Sequence, residues 1–305
     1  MTTLTAPEDP RVGKRVQPRP QPREIRPGEA TEAISFVSSV LLMIALLTLW
    51  FVFQVLVLGG YSQQRDQNLL YAQLRTELAA ATAPTGPVVP AGDPVALLSV
   101  PRLKLQQVVV EGTASGDLLA GPGHRRNSVL PGQVGTSIVY GRASTYGKPF
   151  ENLASLHPGD TIVTQTGQGK TVFTVDGVRR AGDKIPALPD GAARITLATA
   201  EGQGGLPALR PGKVLYVDAT AKQGMPAPSS RPAAVPKSEQ AMASDLTALP
   251  MLAFALALLA ALSLGVVTAR QRFAAPLVWV IAAPVALALA WSTTDTVMRL
   301  LPNLM

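Results

Sequence analysis

The 305-residue sequence contains no cysteine and only two histidines. The absence of cysteine excludes thiol nucleophiles, disulfide bonds and cysteine metal sites. The histidines, His124 and His157, lie far apart and form no HxxxH pattern, so we predict no metal site and no cofactor. The stretch GQGK at 167–170 lacks the spacing of a phosphate-binding loop and is typical of a turn between two strands.

The start of the chain, residues 1–32, is rich in proline and arginine, and among its prolines lie Arg11, Lys14, Arg15, Arg19, Arg23 and Arg26. The whole chain has a formal net charge of +7. A basic, proline-rich segment is typically disordered. A basic tail can bind nucleic acid, but this one directly precedes a long apolar run, which favours a role in membrane orientation. We therefore predict a cytoplasmic tail and no nucleic-acid partner.

Three runs without charged residues are long enough to cross a bilayer, which takes about 20 residues. They are 33–58, 246–269 and 273–294. The first run lacks the short apolar core and cleavage site of a signal peptide, which indicates an uncleaved anchor. Arg270 and Arg272 separate the last two runs, and short basic loops face the cytoplasm. The sequence thus predicts three transmembrane helices; two buried core helices are the disfavoured alternative for the second and third runs.

The region between the first two runs is expected to lie outside the cell, as is a short tail at 295–305. It divides by composition into a juxtamembrane helix and Pro-rich linker at 59–91, a domain at 92–222, and a second linker at 223–245. Short apolar runs separated by turn residues predict an all-β barrel or sandwich of about seven or eight strands. These runs are 95–100, 106–112, 136–141, 160–166, 170–178, 193–199 and 213–220. Only 149–156 suggests a short helix.

Four stretches of the domain carry a family resemblance. They are GDPVALLSVPRLKL (92–105), VVVEGTASGDLLAGPGH (108–124), SVLPGQVGTSIVYGRASTYGKPFENLASLHPGDTIVTQT (128–166) and ITLATAEG (195–202). In this order they resemble the sortases, the cysteine transpeptidases of Gram-positive surfaces, and are most similar to the class E type of actinobacteria. The resemblance implies a closed β-barrel outside the membrane of a Gram-positive actinobacterium.

In sortases a cysteine thiolate attacks the sorting signal, a histidine protonates the leaving amine, and an arginine stabilises the developing charge. The family's TLxTC pattern matches Thr196-Leu197-Ala198-Thr199-Ala200, which places Ala200 at the nucleophile position. The AGHR pattern places Arg142 at the acid position, and the RLxV pattern places Val214 at the arginine position, with Lys213 one residue away. The resemblance therefore implies that all three catalytic positions are vestigial.

The favoured interpretation is a catalytically inactive sortase-like membrane protein that binds or scaffolds another membrane or cell-surface protein. The candidate groove residues are Arg142, Thr199, Glu201 and His124. Because a guanidinium keeps its proton at neutral pH, we expect Arg142 to hold an acidic or carboxylate-bearing segment of a partner. The alternative is a surface arginine that pairs with Glu201 or is simply solvated.

Two other functions fit the same residues. The first is an enzyme with a replacement hydroxyl nucleophile, Thr199, activated by His124 or Glu201. Other hydroxyls near the acid position are Ser144 and Thr145. The second is a purely structural subunit of a membrane complex, in which the transmembrane helices carry the function and the barrel serves as a spacer. For His124 a loop histidine that holds a turn is the competing interpretation, and His157 is expected to face solvent.

Overall fold

The computed structural model describes residues 47–305 except 87, 203–210 and 229–230, together with the single residues 34, 38, 41 and 45. The predicted disordered tail at 1–32 and most of the predicted first span at 33–58 lie outside the described residues. The chain forms two compact units, Met1–Thr48 and Leu49–Met305. The described residues of the first unit are helical, and all that follows concerns the second.

The second unit begins with a helix that lies against a barrel. A π-helical turn at Gln54–Leu58 leads into helix α1 (Gly59–Ala79), which is the juxtamembrane helix predicted within 59–91. The buried side chain of Gln67 accepts a hydrogen bond from the Val108 N–H (2.7 Å) and donates one to the Ala120 carbonyl (2.8 Å). One carboxamide therefore satisfies two main-chain groups that would otherwise be buried without a partner.

Eight strands close into a barrel, which confirms the closed β-barrel predicted from the sequence. The strands are β1 (Pro94–Val100), β2 (Leu105–Glu111), β3 (Gly123–His124), β4 (Gly135–Tyr140), β5 (Thr161–Thr166), β6 (Gly169–Arg180), β7 (Ala193–Gly202) and β8 (Pro211–Ala221). Their order around the barrel is β1-β2-β3-β4-β7-β8-β6-β5. Because β7 lies between β4 and β8, it brings the three stretches with catalytic resemblance to one side of the barrel.

The local predictions within the barrel are largely confirmed. All seven predicted strands are present, a 3₁₀ turn at Leu153–Ser155 falls in the predicted short helix, and the GQGK stretch spans the turn from β5 to β6. Strand β3 was not predicted. It is only two residues long and pairs in parallel with β2 and antiparallel with β4, so it shows no alternation of apolar and polar residues.

Strand β7 is buried on both of its faces. Ile195 and Leu197 point into the main core of the barrel, whereas Ala198 and Ala200 belong to a second apolar cluster on the outer face. Successive residues of a strand point to opposite faces, and the first eight residues of β7 are all buried. Something therefore covers the outside of the barrel at β7.

Two long apolar helices follow the barrel. Helix α2 (Leu249–Arg270) and helix α3 (Ala275–Arg299) cover most of the predicted runs 246–269 and 273–294, which begin two or three residues before the helices. By length and composition, two segments of the described residues could cross a membrane, Leu246–Arg270 and Pro276–Arg299. Large apolar side chains such as Phe254 (57% exposed) and Ile281 (65% exposed) face outward from them.

The polar end of α3 is attached to the barrel. The Tyr146 hydroxyl donates to the Asp295 carboxylate, and Arg299 forms an ion pair of 2.9 Å with Asp245. These partners explain why the helix continues to Arg299, past the end of the apolar run at 294, since each polar side chain on the last turns has a fixed acceptor or donor.

Two further segments cover the outer face of the barrel near β7. The first is the strap, residues 237–245, whose Glu239 carbonyl accepts a hydrogen bond from the Thr113 hydroxyl (2.7 Å). The second is the closing segment, residues 300–305, which follows α3 and contains the fully buried Asn303 and Leu304. The strap lies within the predicted linker at 223–245, yet it has fixed contacts with the barrel.

Candidate functional site

The strand register places two of the three vestigial positions directly opposite each other. Ala200 of β7 pairs with Val214 of β8, and the next pair along is Glu201 with Lys213. Ala200 and Val214 are both buried in the same apolar cluster, whereas Lys213 is exposed. The residue opposite Ala200 therefore has a hydrocarbon side chain, and the exposed Lys213 lies outside this cluster.

The surroundings of Ala200 are apolar. Leu118, Tyr140, Ala198, Val214 and Leu304 form the buried part of its cluster. Ala200 itself is 7% exposed. The described members of the cluster include no thiol or imidazole, and their titratable groups are the phenols of Tyr140 and Tyr216. Burial raises the pKa of Tyr140 above its ordinary value. These side chains supply neither a nucleophile nor an acid that titrates near neutral pH.

Arg142 follows β4, where a glycine allows the chain to pass close to a ring. A Cβ atom at Gly141 would lie 2.4 Å from the Phe150 ring, so a larger residue would force the backbone away. The guanidinium of Arg142 is completely buried and donates to the Ser115 carbonyl and hydroxyl, both at 2.8 Å. It also donates to the Thr145 hydroxyl at 3.1 Å and to the Met305 carbonyl at 3.3 Å.

The electrostatics of Arg142 are those of a buried cation. Burial lowers the pKa of its guanidinium to about 10, and the nearby Tyr146 ring, 5.7 Å from the guanidinium carbon, opposes this shift. No carboxylate forms an ion pair with Arg142 within the described part of the chain. The group remains protonated near neutral pH and directs its charge at main-chain and hydroxyl oxygens, so it cannot supply a proton as an acid catalyst would.

The alternative expectation that Arg142 is a surface residue paired with Glu201 is wrong. Glu201 instead accepts two hydrogen bonds of 2.7 Å from Arg180, and these bonds lower the pKa of its carboxyl group. Arg180 and Glu201 form a two-pronged ion pair on the exposed side of the barrel. The structure thus separates Arg142 from Glu201, two of the four predicted groove residues.

Thr199, the predicted replacement nucleophile, is buried on the opposite face of β7 from Ala200. Its hydroxyl donates to the Gly141 carbonyl at 2.8 Å. The proton is therefore held by a main-chain oxygen, which cannot accept it as a general base would. The Thr145 hydroxyl is engaged in the same way, by the Met305 carbonyl at 2.7 Å.

His124 belongs to a separate buried group. Its Nδ1 atom is 2.7 Å from the Glu111 carboxylate, and its Nε2 atom is 2.8 Å from the Val129 carbonyl and 3.1 Å from the Ser128 hydroxyl. Both ring nitrogens of His124 are therefore engaged by neighbouring oxygen atoms of its own group. The Ser128 hydroxyl in turn donates to the Arg125 carbonyl at 2.7 Å.

The arrangement around His124 fits the competing interpretation of a histidine that holds a turn, because its contacts join the end of β2 to residues 125–129. Sequence reasoning did not identify Glu111 and Ser128 as its partners. A carboxylate at the end of the apolar run 106–112 was the available signal, since an acid is seldom fully buried without a partner.

The closing segment completes the site. The Ala143 N–H donates to the Leu304 carbonyl (3.0 Å), and the Asn303 side chain donates to the carbonyls of Thr113 (2.7 Å) and Gln240 (2.9 Å). Sequence reasoning assigned these residues to an external tail and did not place them at the site. Among the described residues, no three potential metal ligands cluster together.

Comparison with known proteins identifies related sequences. The family model for the sortase domain matches residues 98–219. Sortase SrtE1 of Streptomyces coelicolor is 28% identical over 159 residues, which cover 50% of this chain and 45% of that protein. The chain thus matches less than half the length of this curated relative.

Solved structures of sortases are also similar. The Sortase D5 transpeptidase of Clostridium perfringens aligns with a TM-score of 0.41 and 17% identity, covering 52% of this chain and 96% of that one. SrtF of Corynebacterium diphtheriae aligns with a TM-score of 0.39 and 23% identity, covering 48% of this chain and 93% of that one. Sortase E1 of Streptomyces coelicolor, solved with a tripeptide in its active site, aligns with a TM-score of 0.35 and 22% identity, covering 46% of this chain and 93% of that one.

Proposed function

Residues 98–219 of this chain belong to the sortase family, and we propose that this sortase domain catalyses no transpeptidation and acts by binding within a membrane assembly. The observation that carries the proposal is the chemistry at the three family positions. Ala200 and Val214 are paired hydrocarbons, and Arg142 is a buried cation whose hydrogen bonds are made to its own chain.

Each missing group contributes to a different part of the reaction. Without a nucleophile there is no covalent intermediate, a positioned acid contributes about 10²–10⁴-fold to rate, and a charge-stabilising donor about 10²–10³-fold. These losses act on successive events at one site, so restoring a single group leaves the others absent. We therefore expect that restoring any one of these side chains does not restore turnover.

The alternative of a replacement hydroxyl nucleophile has less support. The Thr199 hydroxyl faces away from Ala200 and donates to the Gly141 carbonyl. Both ring nitrogens of His124 contact Glu111, Ser128 and Val129 instead of Thr199. Glu201 is engaged by Arg180. None of these groups is within hydrogen-bond distance of the Thr199 hydroxyl.

We further propose that the chain is an integral membrane protein of a Gram-positive actinobacterial cell envelope. The two apolar helices support membrane attachment. The arginines at 270 and 272 favour a cytoplasmic turn between them, which would place the barrel on the extracellular side. In that arrangement the barrel would bind or scaffold another membrane or cell-surface protein, and a role as a purely structural subunit is the nearest alternative.

The proposal is tested by placing a cysteine at position 200 while the other family positions stay unchanged. Because the chain has no other cysteine, Ala200→Cys and the matched control Ala198→Cys each carry one thiol on the same face of β7. Full-length protein in detergent is incubated with a peptide bearing a sortase sorting motif and an amine acceptor, and product is followed by mass spectrometry. We expect no turnover by either variant.

A strong gain of turnover in Ala200→Cys but not in Ala198→Cys would contradict the proposal. It would mean that the acid and cation roles are still filled at this site by groups other than those that the family uses.

A further inference from the structure

The closing segment occupies the outer face of β7 in the manner of a bound peptide. Leu304 is fully buried and packs in the same cluster as Leu118, Ala198 and Ala200. A large apolar side chain is thus inserted at the position where the family carries its nucleophile. This contact also explains why the outer face of β7 is buried, although the barrel alone would leave it open.

Main-chain hydrogen bonds hold the segment next to this apolar pocket. The Leu304 carbonyl accepts from the Ala143 N–H at 3.0 Å. The Met305 carbonyl accepts from the Thr145 hydroxyl at 2.7 Å and from the Arg142 guanidinium at 3.3 Å. Three residues of the loop after β4, Arg142, Ala143 and Thr145, therefore supply the donors that bind the backbone of the segment. Peptide-binding sites take affinity from such main-chain bonds.

A side-chain contact adds specificity. The Asn303 carboxamide is fully buried and donates to the carbonyls of Thr113 and Gln240, at 2.7 and 2.9 Å. The Asn303 N–H donates to the Ala243 carbonyl at 3.0 Å. Two acceptors from separate parts of the chain thus converge on one NH₂ group, which an aspartate at this position could not supply.

Arg142 gives an independent reason to regard the pocket as a ligand site. Its guanidinium is completely buried, its Nε atom has no hydrogen-bond partner, and no described carboxylate pairs with it. A buried cation is retained where it binds oxygen acceptors. Here the acceptors are Ser115, on the barrel side, and Met305, on the closing segment.

We propose that the site over Ala200 is a peptide-binding cleft whose occupant is the chain's own closing segment, residues 300–305, so that the cleft is closed to peptides from other molecules. The cleft selects an apolar side chain preceded by a carboxamide, with the following carbonyl bound by Arg142 and Thr145. This inference deepens the proposed function and rests on it, because it assigns an occupant to the site that carries no chemistry.

The test uses the reactivity of a single thiol in full-length protein. Ala200→Cys is labelled with a maleimide in detergent, in the otherwise native chain and together with Leu304→Ser or Asn303→Asp. Val172→Cys, at an exposed position, and Ala219→Cys, at a fully buried core position, serve as controls. If the segment covers the cleft, its variants should raise the labelling rate of Ala200→Cys about tenfold or more, because labelling then follows local opening. Both control rates should stay unchanged.

Addition of the synthetic peptide LLPNLM should slow the labelling again in the Leu304→Ser chain, whereas a scrambled peptide should not. Equal labelling rates for Ala200→Cys with and without the segment variants would overturn the proposal. So would failure of the peptide to protect the thiol while Ala219→Cys remains unreactive.

If the double variants unfold, a second measurement tests whether residues 300–305 occupy the cleft. A photoreactive benzoylphenylalanine in place of Leu304 should cross-link to β7 or to the loop containing Leu118 within the same chain. Cross-links that reach neither would overturn the proposal. These outcomes are independent of turnover, since a chain could be catalytically inactive with an open cleft, or could bind its own segment and still fail the thiol-restoration assay.

Discussion

Arg142 is a fully buried guanidinium whose hydrogen bonds all go to main-chain and hydroxyl oxygens. Burying a charge costs free energy, and these bonds offset that cost. The net effect is visible in its pKa, which burial lowers from the ordinary arginine value to about 10. The charged side chain is therefore less favourable in the folded protein than in the unfolded chain.

This balance predicts the effect of Arg142→Met at neutral pH. The variant removes the buried charge and leaves the Ser115 carbonyl without its guanidinium donor, whereas the Met305 oxygen still accepts from the Thr145 hydroxyl. Unsatisfied buried acceptors cost about 1–3 kcal/mol each, so we expect a net loss of unfolding free energy on the order of 1–3 kcal/mol. Urea unfolding of the two full-length proteins in the same detergent measures it.

The pH dependence of that difference has a definite sign. Between pH 10 and 12 the unfolded chain keeps the arginine proton while the folded chain loses it, because the folded pKa is the lower one. Stability rises with pH wherever the unfolded state binds more protons. The native protein should therefore gain stability relative to Arg142→Met as pH increases through 10. A difference that stays flat or shrinks over this range would contradict the assignment.

The alignment of Ala200, Arg142 and Val214 with the family's catalytic positions is a prediction from the sequence, whereas the surroundings of these residues come from the structure. Ala200 and Val214 were found by pattern, and the strand register places them opposite each other. The burial of Arg142 depends on Ser115 and Met305, which are distant from it in the chain. No local sequence pattern near Arg142 indicates those contacts, so the sequence analysis predicts Arg142 either on the surface or in an open groove.

At the level of elements, the strands of six or more residues could be predicted from the sequence, but the very short strand β3 could not. Seven strands carry enough apolar positions to be found, but β3 has two residues and is defined by its neighbours β2 and β4. The strap at 237–245 has the composition of a linker, and its fixed position comes from tertiary contacts such as Thr113 with Glu239. Composition predicts the absence of a regular element, not the absence of contacts.

The α2–α3 hairpin gives an element-scale prediction. Arg270 and Arg272 lie in the turn between two apolar helices, and a short basic loop is retained on the cytoplasmic side. In intact protoplasts, an epitope tag inserted at Gln271 should be protected from added protease. A tag inserted at Ala233, in the exposed stretch before the strap, should be cleaved.

Lysed protoplasts provide the control, since both tags should then be cleaved. The reverse pattern in intact protoplasts would contradict the proposed arrangement of the barrel and the hairpin.

For the whole molecule, the barrel, the strap and the two apolar helices form one compact unit. The elements that follow the barrel contact it again: α3 binds through Asp295, the strap through Glu239, and the closing segment through Asn303 and Leu304. In the proposed account, the surface that the family uses for catalysis has become an internal interface. The family could be identified from the sequence, but this interface could not, because it joins the barrel to segments that lie far from it in the chain.

The central claim, that this sortase domain performs no chemistry, is tested most directly on the unmodified full-length protein. The protein is incubated with a peptide bearing a sortase sorting motif and an amine acceptor, and both the intact protein mass and the peptide products are measured. We predict no acyl adduct on the protein and no product above the protein-free blank. An acyl-ester adduct that maps to Thr199, persists in Thr199→Ser and disappears in Thr199→Val would contradict the account and establish a hydroxyl nucleophile.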